Sequence, residues 1–136
     1  MKRREVTVSE LMSTALITVK VSDTITEAHA EMELGVVRHL PVIDDRRRLV
    51  GVLSDRDVQR AIASKKAHRV SEIMVSDMTT IEPEAPAHAA VTLMLEQQIG
   101  SVLVIDDAGT LVGVVTQTDY LELARRALLG LSLERS

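Results

Sequence analysis

The sequence predicts a mixed α/β (α+β) fold built from two β-α-β-β-α repeats related by pseudo-twofold symmetry. The main observation is an internal duplication. Residues 8–58 align with residues 70–120 at a constant offset of 62 residues without a gap, and 16 of the 51 aligned positions are identical. The two copies fill most of the 136-residue chain. A second observation is that the predicted strands are apolar almost throughout, which is typical of strands covered on both faces.

Each copy opens with a short helical turn and a short strand. Ser9 and Ser71 each precede the pattern Glu-apolar-Met, and we expect them to be the N-caps of the two turns, because a serine hydroxyl accepts hydrogen bonds from free backbone N–H groups. A short strand is predicted near Leu16–Val19 in the first copy and near Met78–Ile81 in the second.

A helix follows in both copies. In the first copy, Thr24 and Glu27 have the spacing of a capping box. In the second copy, Pro86 suits the start of a helix, since its fixed backbone angle matches the first helical turn. Met32 and Met94 recur at helical spacing on these helices and are predicted to lie in the core.

The remaining elements are a hairpin and a closing helix in each copy. Runs rich in Val, Ile and Leu, bounded by Asp, Arg and Gly, are typical of paired strands. The predicted strands are His39–Ile43, Leu49–Leu53, Ser101–Ile105 and Leu111–Val115, and the closing helices are 55–64 and 117–129, ending near Gly130. Residues 8–64 therefore form repeat 1, residues 65–69 a linker and residues 70–129 repeat 2, and residues 132–136 are predicted to be a frayed tail.

Composition excludes several classes of protein. The chain has no cysteine, so it has no disulfide, thiolate metal site or cysteine nucleophile. Tyr120 is its single aromatic hydrophobe and the net charge is −4, which argues against nucleic-acid binding by base stacking or by a basic surface. No apolar run approaches the length of a membrane span, and the start lacks the pattern of a signal peptide. We expect a cytoplasmic protein that does not contact membranes.

The same sequence motif lies at the end of the last strand in each copy. It reads Gly-apolar-apolar-(Ser/Thr)-x-x-Asp and contains Gly51, Ser54 and Asp57 in the first copy. Glycine allows close approach of a ligand or another backbone, a hydroxyl at a helix N-terminus favours anions, and an aspartate can accept two hydrogen bonds from a ribose. The same pattern is also an ordinary capping box that needs no ligand. Its recurrence in register, with Thr116 and Asp119, favours a binding role.

Together these motifs resemble a tandem pair of CBS domains, called a Bateman module. The resemblance is carried by Val-Ser-Glu-Leu-Met at 8–12, by Val37-Arg38-His39-Leu40-Pro41-Val42-Ile43-Asp44 and by the two phrases ending in aspartate. It covers residues 8 to about 125. The first copy is especially similar to acetoin-utilisation-type CBS proteins and to stand-alone bacterial CBS-pair proteins.

The resemblance implies that the copies pack sheet against sheet, with two clefts between them for an adenosine-containing ligand such as AMP, ADP, ATP or S-adenosylmethionine. It implies that Asp57 and Asp119 take the ribose hydroxyls and that Ser54 and Thr116 lie near the ribose and phosphate. Loops around Ile17 and Thr79 would line the adenine. It further implies a homodimer.

The two implied sites differ in charge. Arg38 and His39 match family positions that often meet phosphates, and at the 62-residue offset they correspond to Gly100 and Ser101. We therefore expect phosphate recognition to depend mainly on Arg38 and His39. Arg38 could instead be a solvated surface residue and His39 a packed strand residue. Arg56 could reach a phosphate or pair with Asp55.

The sequence thus predicts a regulatory or energy-sensing module that binds an adenine nucleotide and signals to an unknown effector protein by changing conformation. The alternative is a structural or dimerisation scaffold with degenerate ligand sites. No catalytic group is predicted, and no cofactor is obligatory. Asp55 and Asp57 could hold Mg²⁺ through a bound nucleotide, but the histidines lack the spacing of metal ligands.

Overall fold

The computed structural model describes residues 5–130. Its helices are α1 (Val8–Leu11), α2 (Ile25–Gly35), α3 (Asp55–Ser64), α4 (Ala87–Gln97) and α5 (Gln117–Leu128). Its strands are β1 (Val19–Lys20), β2 (His39–Ile43), β3 (Leu49–Ser54), β4 (Thr80–Ile81), β5 (Ser101–Ile105) and β6 (Leu111–Thr116), and a 3₁₀ turn spans Val70–Glu72. The mixed α/β class is confirmed, and the elements recur in the predicted order. The predicted tail at 132–136 lies outside the described residues.

Two three-stranded sheets carry the fold, with strand orders β1-β2-β3 and β4-β5-β6. In the first sheet β1 is parallel to β2, and β2 is antiparallel to β3. In the second sheet β4 is parallel to β5. The outer strands β1 and β4 contain two residues each, so most of the predicted span before each of them is loop.

The chain divides into two compact units that do not coincide with the two sequence repeats. The repeat-1 unit comprises Ile17–Met78 and Gly109–Leu111, and the repeat-2 unit comprises the described residues up to Leu16, Thr79–Ala108 and the described residues from Val112 onward. The opening segment of repeat 1 thus belongs to the repeat-2 unit, and the opening segment of repeat 2 belongs to the repeat-1 unit.

Each unit has its own aliphatic core. Fully buried residues of the repeat-1 unit include Leu40, Val42 and Leu53, and Met32 is 3% exposed. The repeat-2 unit buries Val8, Ala90, Val102, Val104 and Val115 completely, and Met94 is 4% exposed. Both methionines are core residues, as predicted. With no phenylalanine or tryptophan in the chain, close packing depends on branched side chains and on methionine, which fills irregular gaps.

The strands alternate in burial although their sequences are almost continuously apolar. In β5 and β6 every second residue is buried, and most of the residues between are partly exposed. Alternation follows from the two-residue period of a strand, which sends successive side chains to opposite faces. The apolar pattern therefore marks one fully buried face and one partly buried face in each sheet.

The prediction that Ser9 caps the first turn is wrong. The N-cap of α1 is Thr7, and Ser9 is the second residue of the helix. The backbone N–H groups of Val8 and Ser9 donate to the carbonyl oxygens of Ala85 and Pro83, at 2.9 Å in each case. These bonds satisfy the first two donors of the helix through the backbone alone, so no side-chain cap is needed.

The prediction for Ser71 is wrong for a similar reason. Ser71 lies inside the turn Val70–Glu72, whose N-cap is Arg69. The carboxylate of Glu72 accepts the backbone N–H groups of His68 and Arg69, at 3.1 and 2.9 Å. These two hydrogen bonds favour the charged form of Glu72, and the bond from Arg69 is the main cause that lowers its pKa below the ordinary value.

Gly51 and Gly113 are required by packing inside the fold. A Cβ atom added at Gly51 would lie 2.8 Å from Sδ of Met74, and one at Gly113 would lie 2.5 Å from Sδ of Met12. The close approach predicted at these glycines is therefore made by methionines. It also explains why each repeat opens with a segment ending in methionine, because Met12 and Met74 pack on the glycine of the other repeat's last strand.

Candidate functional site

The repeat-1 site comprises Ile17, Arg38, His39, Ser54 and Asp57. The first sheet brings these residues to one edge. His39 begins β2 and lies opposite Ser54, the last residue of antiparallel β3. The backbone N–H of Asp55 donates to the carbonyl oxygen of Arg38 at 2.7 Å. The segment before β2 is thereby fixed beside the start of α3.

Ile17 reaches the same edge because β1 runs parallel to β2, with Val19 opposite Val42. Its partly buried side chain packs against the core of the unit. A Cβ atom added at Gly35 would lie 2.3 Å from Cδ1 of Ile17, so this glycine makes room for the isoleucine at the end of α2. Ile17 thus forms an apolar wall at the edge that carries the polar groups.

Ser54 and Asp57 form the polar centre of the repeat-1 site. Ser54 is the N-cap of α3, and its Oγ accepts the backbone N–H of Asp57 at 3.1 Å. Both side chains are partly buried. Within residues 5–130, the carboxylate of Asp57 makes no hydrogen bond or ion pair. The site therefore presents two carboxylate oxygens that can accept hydrogen bonds from a ligand.

Three basic or titratable residues lie on the chain segments next to this carboxylate. Arg38 and His39 precede and begin β2, Arg56 lies in the first turn of α3, and all three are exposed. Their side chains form no ion pair or hydrogen bond with other parts of the described chain. His39 lies in β2 but is exposed, and Arg38 is exposed as the alternative of a solvated surface residue predicts. Free guanidinium groups near a helix N-terminus form an environment that suits a phosphate.

The repeat-2 site comprises Thr79, Gly100, Ser101, Thr116 and Asp119, which lie at the equivalent sheet edge of the repeat-2 unit. Ser101 begins β5 and Thr116 ends β6. The backbone N–H of Gln117 donates to the carbonyl oxygen of Gly100 at 3.0 Å, as Asp55 does to Arg38. Oδ2 of Asp119 accepts the backbone N–H of Thr116 at 2.8 Å and its hydroxyl at 3.3 Å. This carboxylate caps its own helix.

Thr79 is also engaged within the protein. It lies just before β4, where Thr80 is paired with Leu103 of β5. Its hydroxyl donates a short hydrogen bond to the side-chain oxygen of Gln97, near the end of α4. The corresponding residue of the repeat-1 site, Ile17, has no hydroxyl to donate.

Tyr120 is a site neighbour that sequence reasoning treated only as a composition marker. Its hydroxyl donates to the carbonyl oxygen of Ala87 at 2.6 Å, which ties the first turn of α5 to the first turn of α4. Burial, and secondarily the negative charge of Asp119, raises the pKa of Tyr120 to about 12. The position aligned with it, Val58, is fully buried, so the shared anchoring role is not visible from residue type.

A groove of about 260 Å³ also lies on the repeat-1 unit, between the end of α2 and the start of α3. Sequence reasoning missed it, since its residues are far apart in the chain. Arg38 and Asp55 line it, together with His29, Met32, Glu33, Val36, Val37 and Gln59.

Asp55 and Asp57 lie two residues apart on one helix, about 200° around its axis. They therefore point to different sides of α3, and the role suggested for them in holding Mg²⁺ through a bound nucleotide stays a prediction.

Among residues 5–130, no group of three or more His, Asp or Glu side chains could hold a metal ion. Within the same residues, no helix combines the length and the apolar character needed to cross a bilayer.

Comparison with known families gives a match over most of the chain. The family model described as "CBS domain" matches residues 8–64 and again residues 70–126. A CBS domain-containing protein of Dictyostelium discoideum is 32% identical over 137 aligned positions, which cover 91% of this chain and 94% of the relative. An inosine-5'-monophosphate dehydrogenase of Methanocaldococcus jannaschii is 32% identical, but this chain spans only 22% of that enzyme.

Solved structures of similar chains include ligand complexes. The CBS-pair protein CBSX2 of Arabidopsis thaliana, solved with AMP, has a TM-score of 0.79 and 28% identity, covering 90% of this chain and 98% of that one. A CBS domain pair solved with 5'-methylthioadenosine and S-adenosyl-L-methionine has a TM-score of 0.76 and 28% identity, with 91% and 99% covered. An acetoin utilization protein of Vibrio cholerae has a TM-score of 0.80 and 27% identity, with 93% and 95% covered.

Proposed function

The chain belongs to the CBS domain family, and from this we propose that it is a regulatory module that binds an adenosine-containing ligand: AMP, ADP, ATP or S-adenosylmethionine. The observation that carries the proposal is the carboxylate of Asp57, which makes no hydrogen bond or ion pair within residues 5–130. It lies at the N-terminus of α3, at a sheet edge that also holds two exposed basic residues, Arg38 and His39.

Each part of the repeat-1 site suits one part of such a ligand. The two oxygens of Asp57 accept hydrogen bonds from the two hydroxyls of a ribose, as acidic residues do in nucleotide-binding folds. Ile17 offers apolar contact to the adenine ring. Arg38 and His39 supply charge for phosphate, and the guanidinium of Arg38 can make two parallel hydrogen bonds to it. The solved relatives that hold AMP or S-adenosyl-L-methionine support this ligand class.

Signalling requires that the ligand favour one conformation. A ligand shifts a conformational equilibrium only by the difference in its affinity for the two states. The proposed readout is recognition of the ligand-bound form by an effector protein. The relatives named as enzymes are a dehydrogenase, sulfurtransferases and acetyltransferases. Each is a larger protein, and this chain spans only 22% to 24% of its length. We therefore assign no catalytic step to this chain.

Thermal unfolding against a ligand panel tests the proposal. The panel contains AMP, ADP, ATP, S-adenosylmethionine, adenosine and GTP, each with and without Mg²⁺. A ligand present at 100 times its dissociation constant stabilises the native state by about 2.7 kcal/mol, which raises Tm by several degrees in a chain of this size. We expect an adenosine compound to raise Tm and the variant Asp57→Ala to lose that increase.

The control is Asp45→Ala, which removes the same charge from the exposed turn after β2 and changes a residue outside the repeat-1 site. It should keep the ligand-induced increase. If no adenosine compound stabilises the folded protein, the regulatory proposal fails.

Exposed apolar side chains favour a second candidate function, that of a dimerisation scaffold. On the repeat-1 unit, Leu34 is 82% exposed and Val36 is 88% exposed. On the repeat-2 unit, Leu128 is 87% exposed and Leu121 is 69% exposed. The three leucines lie on helices and Val36 is the C-cap of α2. Where such side chains form one contiguous patch, a partner typically covers that patch. We propose a second copy of the chain as that partner, which is compatible with the regulatory role.

A further inference from the structure

Asp57 and Asp119 end the motif that recurs in the two copies. They occupy equivalent positions, but their carboxylates make different hydrogen bonds. In the repeat-2 site, Oδ2 of Asp119 accepts both the backbone N–H and the hydroxyl of Thr116. In the repeat-1 site, the helix is capped by Oγ of Ser54, which accepts the N–H of Asp57. The cap of α3 therefore leaves its carboxylate available, whereas the cap of α5 uses one.

This difference affects how each site can bind a ribose. A cis-diol held by a carboxylate gives one hydrogen bond to each oxygen. Two protein donors already fill Oδ2 of Asp119, since a carboxylate oxygen has about two acceptor positions. Binding a diol in this mode must therefore displace at least one of these two bonds. An N-cap interaction is typically equivalent to a factor of about five in an equilibrium constant. Asp57 carries no such penalty.

A second difference acts in the same direction. The hydroxyl of Thr79 in the repeat-2 site donates its proton to Gln97, so a hydrogen bond that it donates to a ligand base must replace that bond. Ile17 in the repeat-1 site presents apolar surface, which needs no partner. In the repeat-2 site, the carboxylate of Asp119 and the hydroxyl of Thr79 thus both have hydrogen-bond partners within the protein.

Charge separates the sites further. Arg38, His39 and Arg56 of the first copy align with Gly100, Ser101 and Thr118 of the second. The three cationic or titratable side chains are exposed and make no ion pair within residues 5–130. The first copy thus carries arginine at two positions where the second copy has glycine and threonine. Charge-assisted hydrogen bonds to phosphate are roughly twice as strong as neutral ones.

We propose that the chain binds a single phosphorylated adenosine ligand, at the repeat-1 site, and that the repeat-2 site stays empty at ligand concentrations that fill the first. Asp119 acts at those concentrations as the cap of α5. This inference rests on the proposed function, because it assumes an adenosine ligand. It goes beyond that function because it assigns ligand binding to Asp57 and helix capping to Asp119, although the two residues are equivalent in the duplicated sequence.

Isothermal titration calorimetry with AMP tests the proposal on the whole chain. For the wild type we expect a stoichiometry of about one per chain. Asp57→Asn should weaken this event by about tenfold or more, since it removes a charged acceptor of the ribose. Asp119→Asn should change the affinity by less than about twofold.

Unfolding of the ligand-free variants gives a second, independent measurement. Asp119→Ala removes the acceptor that caps α5, so its Tm should fall by about 3 °C relative to Asp57→Ala. Both substitutions remove one negative charge from the first turn of a helix, so their difference isolates the cap. Equal Tm values for the two ligand-free variants would contradict the assigned role of Asp119.

Two binding outcomes would overturn the proposal. One is two equal binding events per chain. The other is loss of the main event in Asp119→Asn but not in Asp57→Asn. If the folded wild type binds no adenosine compound at all, the proposed function itself fails, which is a different result from binding at the wrong site.

Discussion

At the residue scale, the aligned pairs of the duplication show how one residue type can have two roles. Asp57 and Asp119 are the same residue type at equivalent positions of the two repeats, yet only the carboxylate of Asp119 accepts a hydrogen bond at its helix N-terminus. Arg38 and Gly100 are equivalent in backbone geometry, since both accept an N–H from the first residue of the following helix. Their side chains give the two sites different electrostatic character.

Removal of Arg38 should weaken phosphate recognition selectively. We expect Arg38→Ala to lower the affinity for AMP and ADP by roughly 10- to 100-fold, the range for a lost hydrogen bond to a charged group, and to change the affinity for adenosine much less. Calorimetric titration of the three ligands measures both effects. Arg46→Ala, at an exposed arginine of the β2–β3 turn, is the matched control. Equal losses for AMP and adenosine would contradict the assignment.

Tyr120 provides a prediction that depends on pH. Burial raises its pKa to about 12 from 10.0, so the folded state holds the proton more tightly than the unfolded state. Its contribution to stability is complete below pH 10 and is lost as the pH rises from 10 to 12. Because Tyr120 is the only tyrosine and there is no tryptophan, tyrosinate absorbance in a pH titration reports this group alone. A midpoint near 10 in the folded protein would be inconsistent with the buried hydroxyl.

At the element scale, each unit depends on a segment that the sequence assigns to the other repeat. Helix α1 is anchored by backbone bonds to Ala85 and Pro83 in the loop before α4. The bridge between Ser13 and Val114 holds the segment after α1 against β6. In the repeat-1 unit, Val75 forms the equivalent bridge to Val52. These contacts place a methionine over a glycine in each unit.

The glycine contacts predict unequal effects of two matched substitutions. We expect Gly113→Ala to destabilise the protein by about 1–3 kcal/mol through overpacking, because its Cβ would meet Sδ of Met12 at 2.5 Å and the backbone oxygen of Ser13 at 3.0 Å. Gly51→Ala should be milder, since the close atoms all belong to the flexible side chain of Met74. Chemical denaturation measures both.

A double-mutant cycle supplies the control for this prediction. In the background of Met12→Ala, the additional effect of Gly113→Ala should shrink, because the sulfur atom that the new methyl group meets is gone. An unchanged effect in that background would show that Met12 is not the reason for the glycine.

At the scale of the whole molecule, exposed leucines on the helices of both units favour association. We expect the wild type to be a homodimer by size-exclusion chromatography with light scattering. Leu34→Lys and Leu128→Lys should shift the equilibrium toward monomer, because each places a charge on a highly exposed apolar position. Asp45→Lys, in the exposed turn after β2, adds a lysine elsewhere and should leave the dimer intact. A monomeric wild type would contradict the scaffold proposal.

The amino-acid sequence by itself determined the duplication, the α/β class, the order of the elements and the residues of both candidate sites. These features depend on hydrophobic period, turn residues and internal repetition, all of which are local or visible by alignment of the chain with itself. The capping box at Thr24 and Glu27 was predictable for the same reason, since both partners lie within one helical turn.

Only the tertiary structure decided which helix ends use side-chain caps and which aspartate is available to a ligand. Ser9 does not cap because backbone carbonyl groups distant in sequence accept the first N–H groups of α1. Ser71 does not cap because the carboxylate of Glu72, in the same 3₁₀ turn, accepts N–H groups of the linker. The choice between Asp57 and Asp119 depends on side-chain geometry at two junctions with the same sequence pattern. Competition among nearby donors and acceptors, rather than residue type, fixes that outcome.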